Sequence, residues 1–174
     1  GFPPAAEALR EGIRAADALL IVTPEYNYSI PGVLKNAIDW ASRPAGRSPL
    51  RDKPVLMMGV STGRGGARRA LDVLRQVLDS IDARPLDRVV SVASARERFA
   101  DGQPDSELRR ELREALDRLD LHLDSSKQRA DELDDGWLDV CLIHAMPTIE
   151  FIALLRRVCQ TQITNLFDTQ LAAG

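Results

Sequence analysis

Aromatic residues make up only 5% of this 174-residue chain, cysteine occurs twice, and neither sign of charge dominates. Each scarcity excludes something. Two cysteines, Cys141 and Cys159, cannot build a disulfide framework or a cysteine-rich zinc site, so a reducing cytoplasm is the expected compartment. With 23 Lys plus Arg against 26 Asp plus Glu, the net charge of -3 offers no broad field for nucleic acid or an anionic membrane, and neither is expected as a partner. No apolar run approaches the roughly 18 residues of a membrane span; the longest candidate, around Ile143 to Leu155, is interrupted by His144, Pro147, Thr148 and Glu150. The opening segment begins with Gly1 and is charged and amphipathic, unlike a signal peptide, and the chain is expected to start within a domain. What is present is a 44% apolar content, enough for a real core and too much for a disordered chain.

The apolar residues fall into alternating patterns. After Pro3 and Pro4, residues Ala5, Leu9, Ile13 and Ala16 recur at helical spacing, with Glu7, Arg10, Glu11 and Arg14 opposite. Ala18 to Val22 is a continuous apolar run, as expected for a strand covered on both faces, and Pro24 ends it. Val33, Leu34, Ala37, Ile38 and Ala41 line a second helix. A second buried strand, Pro54 to Val60, leads into the turn Ser-Thr-Gly-Arg-Gly-Gly and a helix from about Ala67 to Ile81. Asp87 to Ala93 reads as a third strand, and Pro104-Asp105-Ser106 opens a helix striped by Leu108, Leu112, Leu116, Leu119 and Leu123. This alternation predicts an α/β fold with a parallel sheet between helices. Periodicity stops near Asp124, where a polar linker is expected to run to about Asp135. A strand from Trp137 to His144, a helix from Thr148 to Gln160 and a loose terminus follow.

In open parallel sheets, ligands bind beyond the carboxyl ends of the strands. Two loops lie there, Pro-Glu-Tyr-Asn-Tyr-Ser-Ile-Pro-Gly after the first strand and Ser-Thr-Gly-Arg-Gly-Gly after the second. The first, with its prolines and Asn27, can hold backbone N–H groups toward a planar heterocycle. In the second, Gly63, Gly65 and Gly66 permit close backbone approach just before a helix N-terminus. Taken alone, such glycines are first a tight turn and such tyrosines first a packing feature.

The segment Ile21 to Pro44, IVTPEYNYSIPGVLKNAIDWASRP, resembles the signature of the NADPH-dependent FMN reductase family, flavodoxin-like enzymes that include chromate and quinone reductases. The resemblance extends over residues 1–123, leaving 124–174 as a linker and C-terminal extension. It implies that Pro24, Glu25, Tyr26 and Asn27 line the isoalloxazine ring of FMN, mainly through backbone groups. Ser61, Gly63, Gly65 and Gly66 would approach the ring from the neighbouring strand end. The implied reaction passes hydride from NADPH to bound flavin and on to a flavin, quinone or metal-ion acceptor. The flavin does the redox chemistry, so no catalytic side chain is required. Homodimers or homotetramers are the implied assemblies, with Tyr26, Tyr28 and Trp40 bordering the ring or a subunit contact. For Trp40, burial in the core or an interface is the expected role.

The sequence also departs from that family. The family's opening strand, its phosphate-cradling loop of the type Gly-Ser-x-Arg-x-x-Ser-x-Asn, and the helix and strand that follow do not occur in these residues. The sheet order 2-1-3-4-5 would then lack its first β-α-β unit. Strand Ala18 to Val22 would be left as an apolar edge, for which the tail strand near Trp137 to His144 is a candidate partner. Anchoring of FMN is expected to be weak unless another chain or the tail supplies phosphate donors. The alternative reading is therefore a non-catalytic truncated or fusion fragment serving as an oligomerisation or interaction module. One fewer residue than in many relatives separates Gly63 from the Gly65-Gly66 pair; Arg64 and Arg68 are read as solvated.

The tail around Asp134-Asp135-Gly136-Trp137-Leu138-Asp139-Val140 resembles the C-terminal strand and helix of diacylglycerol and related lipid kinases over about 30 residues, without their glycine-rich nucleotide motif. Lipid phosphorylation is not implied, and one pair of carboxylates is a poor Mg²⁺ site, so no metal is expected. His122 is read as exposed, and His144, Cys141 and Cys159 as packed residues. The charged face of the helix from Asp105 to Asp120, with Glu107 and Glu111 against Arg110 and Arg113, reads as solvated.

Overall fold

The computed structural model describes residues 1–100, 103–127, 140–144 and 169–170. In chain order the elements are α1 (Pro4–Ala15), β1 (Ala18–Thr23), α2 (Gly32–Ala41), β2 (Pro54–Val60), α3 (Arg68–Asp79), β3 (Arg84–Val92), α4 (Ala95–Arg98), α5 (Ser106–Lys127), β4 (Val140–His144) and β5 (Thr169–Gln170). The strands form one five-stranded sheet in the order β3-β2-β1-β4-β5, every pairing parallel. Among the described residues no helix is long and apolar enough to cross a membrane.

Both faces of the sheet are covered, which is why its central strands show no polar alternation. Every residue of β1 and β2 is buried. Leu19 and Ile21 of β1, with Val55 and Met57 of β2, pack on α1, α2 and α3 through Ile13, Leu34, Leu74 and Leu78. Ala18, Leu20 and Val22, with Leu56 and Met58, meet α5 through Leu108, Leu112, Leu119 and Leu123. Successive residues of one strand thus serve opposite layers, the two-residue period of a pleated strand. The outer strand β3 is only partly buried and carries Arg84, Asp87 and Arg88, charges suited to an open sheet edge. Arg75 of α3 donates to the carbonyls of Pro85 and Leu86 on β3, beside the point where its register against β2 shifts.

Several expectations need correction. β1 is not left as an edge, because the tail strand that was its candidate partner pairs with it as β4, from Ala18↔Val140 to Val22↔His144. The helix expected to stop near Leu123 continues to Lys127, so the polar stretch at Asp124 begins inside α5. The end of the chain was expected to be loose, yet Thr169 and Gln170 pair with β4. On α1, Ala5 is exposed and Ala6 takes the inward place, while Arg10 is buried at 4% exposure. The guanidinium of Arg10 donates to the Ala41 carbonyl at the end of α2, and it lies over the Phe2 ring at 4.5 Å. A cation at the last carbonyls of a helix complements its dipole, which is what draws this residue inward. On α2, Val33 is 37% exposed rather than part of the buried stripe, and Trp40, at 39%, is a surface residue edge-on to Phe2. The expected helix at Thr148 to Gln160, the residues before Val140 in the tail, and Cys159 lie outside the described residues.

α5 is anchored at its start by Asp105, whose carboxylate accepts the Leu108 N–H at 2.6 Å and the Arg98 guanidinium. Glu111 also reaches Arg98, at 3.4 Å, and Glu114 reaches Arg88 at 2.9 Å. Part of the charged face of α5 therefore ties the helix to α4 and β3. The Leu108 N–H, against a desolvation cost and with help from Arg98, holds the Asp105 carboxyl below the usual carboxylate range. A lowered pKa contributes stability that is complete above the ordinary carboxylate range and fades as pH falls through the lowered value. Asp105→Ala is expected to cost about 1 kcal/mol at neutral pH, the usual worth of an N-cap. Asp105→Asn should keep most of the cap while flattening the acid limb of a urea-unfolding series. An unchanged acid limb in the Asn variant would refute this assignment.

Candidate site at the carboxyl ends of the central strands

The loops after β1 and β2 leave the sheet side by side, because Thr23 at the end of β1 is in register with Gly59 near the end of β2. In the first loop Tyr26 and Ser29 exchange backbone hydrogen bonds, the Tyr26 N–H to the Ser29 carbonyl at 2.9 Å and the Ser29 N–H to the Tyr26 carbonyl at 3.0 Å. Between them Asn27 and Tyr28 have φ values of 48° and 67°. Two successive positive φ angles define the tight turn that normally uses Asn-Gly. Asn27 suits it; Tyr28 is held in a conformation that costs a bulky L-residue about 1–2 kcal/mol. Its ring is 69% exposed.

The Glu25 carboxylate accepts both from the Arg69 guanidinium at 3.1 Å and from the Arg69 backbone N–H at 3.2 Å in the first turn of α3. The same guanidinium lies over the Tyr28 ring at 4.1 Å. Arg69 thereby joins the two loops. Sequence reasoning singled out Arg64 and Arg68, which are exposed, and missed Arg69. The partners are 44 residues apart, and no local pattern marks one arginine among three.

The second loop is fastened to the end of β3. Ser61 N–H donates to the Val92 carbonyl at 2.9 Å, Ser94 N–H to the Gly63 carbonyl at 2.9 Å, and Ala95 N–H to the Ser61 carbonyl at 3.0 Å. The Ser61 hydroxyl accepts the Gly63 N–H at 3.0 Å. The three candidate glycines play different parts. Gly66 has φ +56°, its carbonyl accepts the Ser91 hydroxyl at 2.8 Å, and a Cβ there would sit 2.2 Å from that hydroxyl. Around Gly65 a Cβ would meet nothing within 4 Å, and at Gly63 only the Ser61 hydroxyl at 3.6 Å. Gly66 serves the turn, whereas Gly63 and Gly65 leave open space above it. Gly59, not singled out from the sequence, lets that turn lie on the strand: a Cβ there would be 2.7 Å from the Gly66 carbonyl oxygen.

The structure thus brings Pro24, Glu25, Tyr26 and Asn27 beside Ser61, Gly63, Gly65 and Gly66, on two adjacent strand ends joined by Arg69. Among the described residues the N–H groups of Asn27 and Gly65 have no hydrogen-bond partner. Free backbone donors on rigid, closely spaced loops fit the carbonyl and nitrogen edge of a planar heterocycle such as a flavin ring. A separate cleft of about 330 Å³, lined by Asp39, Arg43, Ser48 and Arg51 among others, lies at the amino ends of the strands. His122 is exposed on α5. His144 and Cys141 fall in β4, away from these loops in sequence.

A parallel sheet between two helical layers, with its loop pair at the carboxyl ends, defines an α/β protein of the flavodoxin-like class. The model of the NADPH-dependent FMN reductase family matches residues 1–97, and the chain belongs to that family. It is 57% identical over 100 residues to an NAD(P)H-dependent FMN reductase of Pseudomonas aeruginosa, covering 57% of this chain and 54% of that protein. It is 53% identical over 88 residues to a quinone reductase of Escherichia coli K12, covering 51% and 46%. The chain spans about half the length of these curated relatives. A solved structure, the flavoenzyme NAD(P)H:(acceptor) oxidoreductase FerB from Paracoccus denitrificans, superposes with a TM-score of 0.60 at 32% identity, over 72% of this chain and 69% of that one.

The division of labour among the glycines is testable. Gly66→Ala is expected to lower unfolding free energy by about 1–3 kcal/mol, combining a strained φ with close contact. Gly65→Ala should stay within about 0.5 kcal/mol of the parent. Equal effects of the two changes in denaturant titrations would contradict the distinction.

Proposed function

We propose that this chain is an FMN-dependent oxidoreductase that takes reducing equivalents from NAD(P)H, with NADPH as the expected donor. The observation that carries this reading is the pair of loops at the ends of β1 and β2, locked by Glu25 and Arg69 in a chain of the FMN reductase family. When bound, FMN supplies two-electron hydride chemistry toward a flavin, quinone or metal-ion acceptor.

The protein's own part is binding and orientation. Pro24 to Asn27 are proposed to line one edge of the ring, with the Asn27 N–H as a donor. Ser61, Gly63 and Gly65 are proposed to line the adjoining edge, the open space above Gly63 and Gly65 allowing a flat ligand to approach the backbone. Gly66 supports the turn from beneath. Backbone donors held by neighbouring strands need no reorganisation to meet negative charge that develops on a ligand. No side chain is required as acid or base. Tyr28, whose ring lies under the Arg69 guanidinium, is proposed to border the ligand.

The exposed Tyr28, Val33 and Trp40, on the first loop and on α2, support a homodimer or homotetramer. The reducing cytoplasm is the proposed location, in keeping with the sparse cysteines. Among the relatives, quinone reductases and a 2-hydroxy-1,4-benzoquinone reductase from a Burkholderia species support a small quinone acceptor.

Purified chain supplied with FMN and a benzoquinone is expected to oxidise NADPH well above the rate of free FMN with the quinone. Gly65→Val, which fills the open space, should reduce that rate at least tenfold while leaving the melting temperature within a few degrees. A rate no faster than free FMN would sink the reading and favour a non-catalytic interaction module.

A further inference from the structure

The two site loops carry positive charge that binding of a flavin ring leaves unused. Residues 24–32 hold one carboxylate, Glu25, whereas residues 61–69 hold three arginines, Arg64, Arg68 and Arg69, and no acid. Glu25 neutralises Arg69, whose guanidinium also lies against the Tyr28 ring. Arg64 and Arg68 are exposed and, among the described residues, form no ion pair; Asp72, one helical turn beyond Arg68 on α3, does not reach it. The two free cations flank Gly65, above which the backbone is open. Arg64 directly precedes it, and the Arg68 N–H donates to the Gly65 carbonyl at 3.2 Å. In a chain with a net charge of -3, this is a local field of the opposite sign at the edge of the site, and such a field draws an anion.

We propose that Arg64 and Arg68 hold the 2′-phosphate of the dinucleotide donor and so make this chain select NADPH over NADH. This rests on the reading of the chain as a flavin-dependent NAD(P)H oxidoreductase. The two donors share the nicotinamide and the pyrophosphate, and only the 2′-phosphate tells them apart. A preference therefore needs a cation that is not already compensated and that stands at the edge of the space where the donor meets the flavin. Arg64 and Arg68 meet both conditions. Arg69 fails the first, through Glu25. Arg43, exposed and without an ion pair, fails the second, because it lines the cleft at the amino ends of the strands. Guanidinium is also the fitting group, since its planar fork offers parallel N–H donors to two phosphate oxygens. The exposure of both arginines suits a phosphate that stays near water while the nicotinamide lies over the ring.

The chain supplied with FMN, its Arg64→Ala/Arg68→Ala and Arg64→Lys/Arg68→Lys variants, and Arg43→Ala as a control can be titrated calorimetrically with NADP⁺ and NAD⁺, oxidised forms that bind without turnover. Because the two differ by the 2′-phosphate alone, the ratio of their affinities reads that group. Parent and Arg43→Ala are expected to prefer NADP⁺ by about tenfold or more, the worth of one or two hydrogen bonds to a charged group. The double alanine variant should bring the ratio toward one with NAD⁺ affinity unchanged. Its kcat/KM preference for NADPH over NADH should collapse in parallel, through KM and not kcat. The double lysine variant should retain part of the preference, keeping the charge without the fork. A ratio unchanged by the alanine pair, equal weakening of NADP⁺ and NAD⁺, or a parent without preference overturns this inference and leaves the functional reading standing. So does a fall in the affinity for FMN relative to riboflavin in the alanine variant, which would assign the arginines to the flavin phosphate. NADPH oxidation by the parent no faster than that of free FMN overturns the functional reading, and this inference falls with it.

Discussion

The structure depends on the complete enclosure of β1. Its six residues are buried, on both faces by helices and on both edges by strands. A buried backbone must find partners for its N–H and C=O groups within the protein, because an unpaired group costs about as much as a lost hydrogen bond. β2 satisfies one edge and β4 the other. The side chains of β1 then contribute alternately to two cores, Leu19 and Ile21 to one and Ala18, Leu20 and Val22 to the other. With no exposed side left, the strand's end is a fixed point, and the loop that leaves it begins from a rigid base.

That rigidity is handed on to the site by contacts that are few and long-range. Gly59 and Gly66 let the second loop lie directly on β2, and three backbone bonds fasten it to Val92, Ser94 and Ala95. The first loop is held by its own tight turn and by Glu25, which reaches across to Arg69. Tyr28 is kept in the left-handed region although glycine would occupy it at less cost. Its ring over the Arg69 guanidinium partly offsets that strain.

Much of this was legible in the sequence, for reasons that can be traced. Continuous apolar runs at Ala18 to Val22 and Pro54 to Val60 announced strands covered on both faces, and the leucine stripe from Leu108 to Leu123 announced α5. The two loops were singled out because they follow those strands and carry turn residues. What escaped was whatever depends on distant partners. Arg10 looks like a surface residue on a helical wheel and is drawn inward by the Ala41 carbonyl. Arg69 is one of three similar arginines until Glu25 selects it. Gly59 sits in an apolar run with no turn signal, and its need for a missing Cβ arises only when Gly66 folds over it. The extension of α5 through Asp124 to Lys127 was missed because polar residues there ended the periodic stripe but not the helix.

The two edges of the three-strand core explain why the tail strand belongs where it does. β3 can remain at the margin, since Arg84, Asp87 and Arg88 are compatible with water and blunt the pairing of one sheet with another. β1 has no such defence: its pattern is apolar throughout, and an unpaired β1 would expose both backbone groups and a hydrophobic edge. A strand's edge recognises geometry and apolar pattern, not position along the chain. Val140 to His144 meets that requirement, and α5 on the opposite face from α2 and α3 carries the chain back toward it. Right-handed crossover connections place helices on one face when the chain steps in one direction along a sheet and on the other when it steps back. The order β5-β4-β1-β2-β3 is that of a flavodoxin-like sheet, with the two places beyond β1 filled from the C-terminal segment. The same burial that makes β1 a stable base for the site therefore also determines which segment can stand beside it.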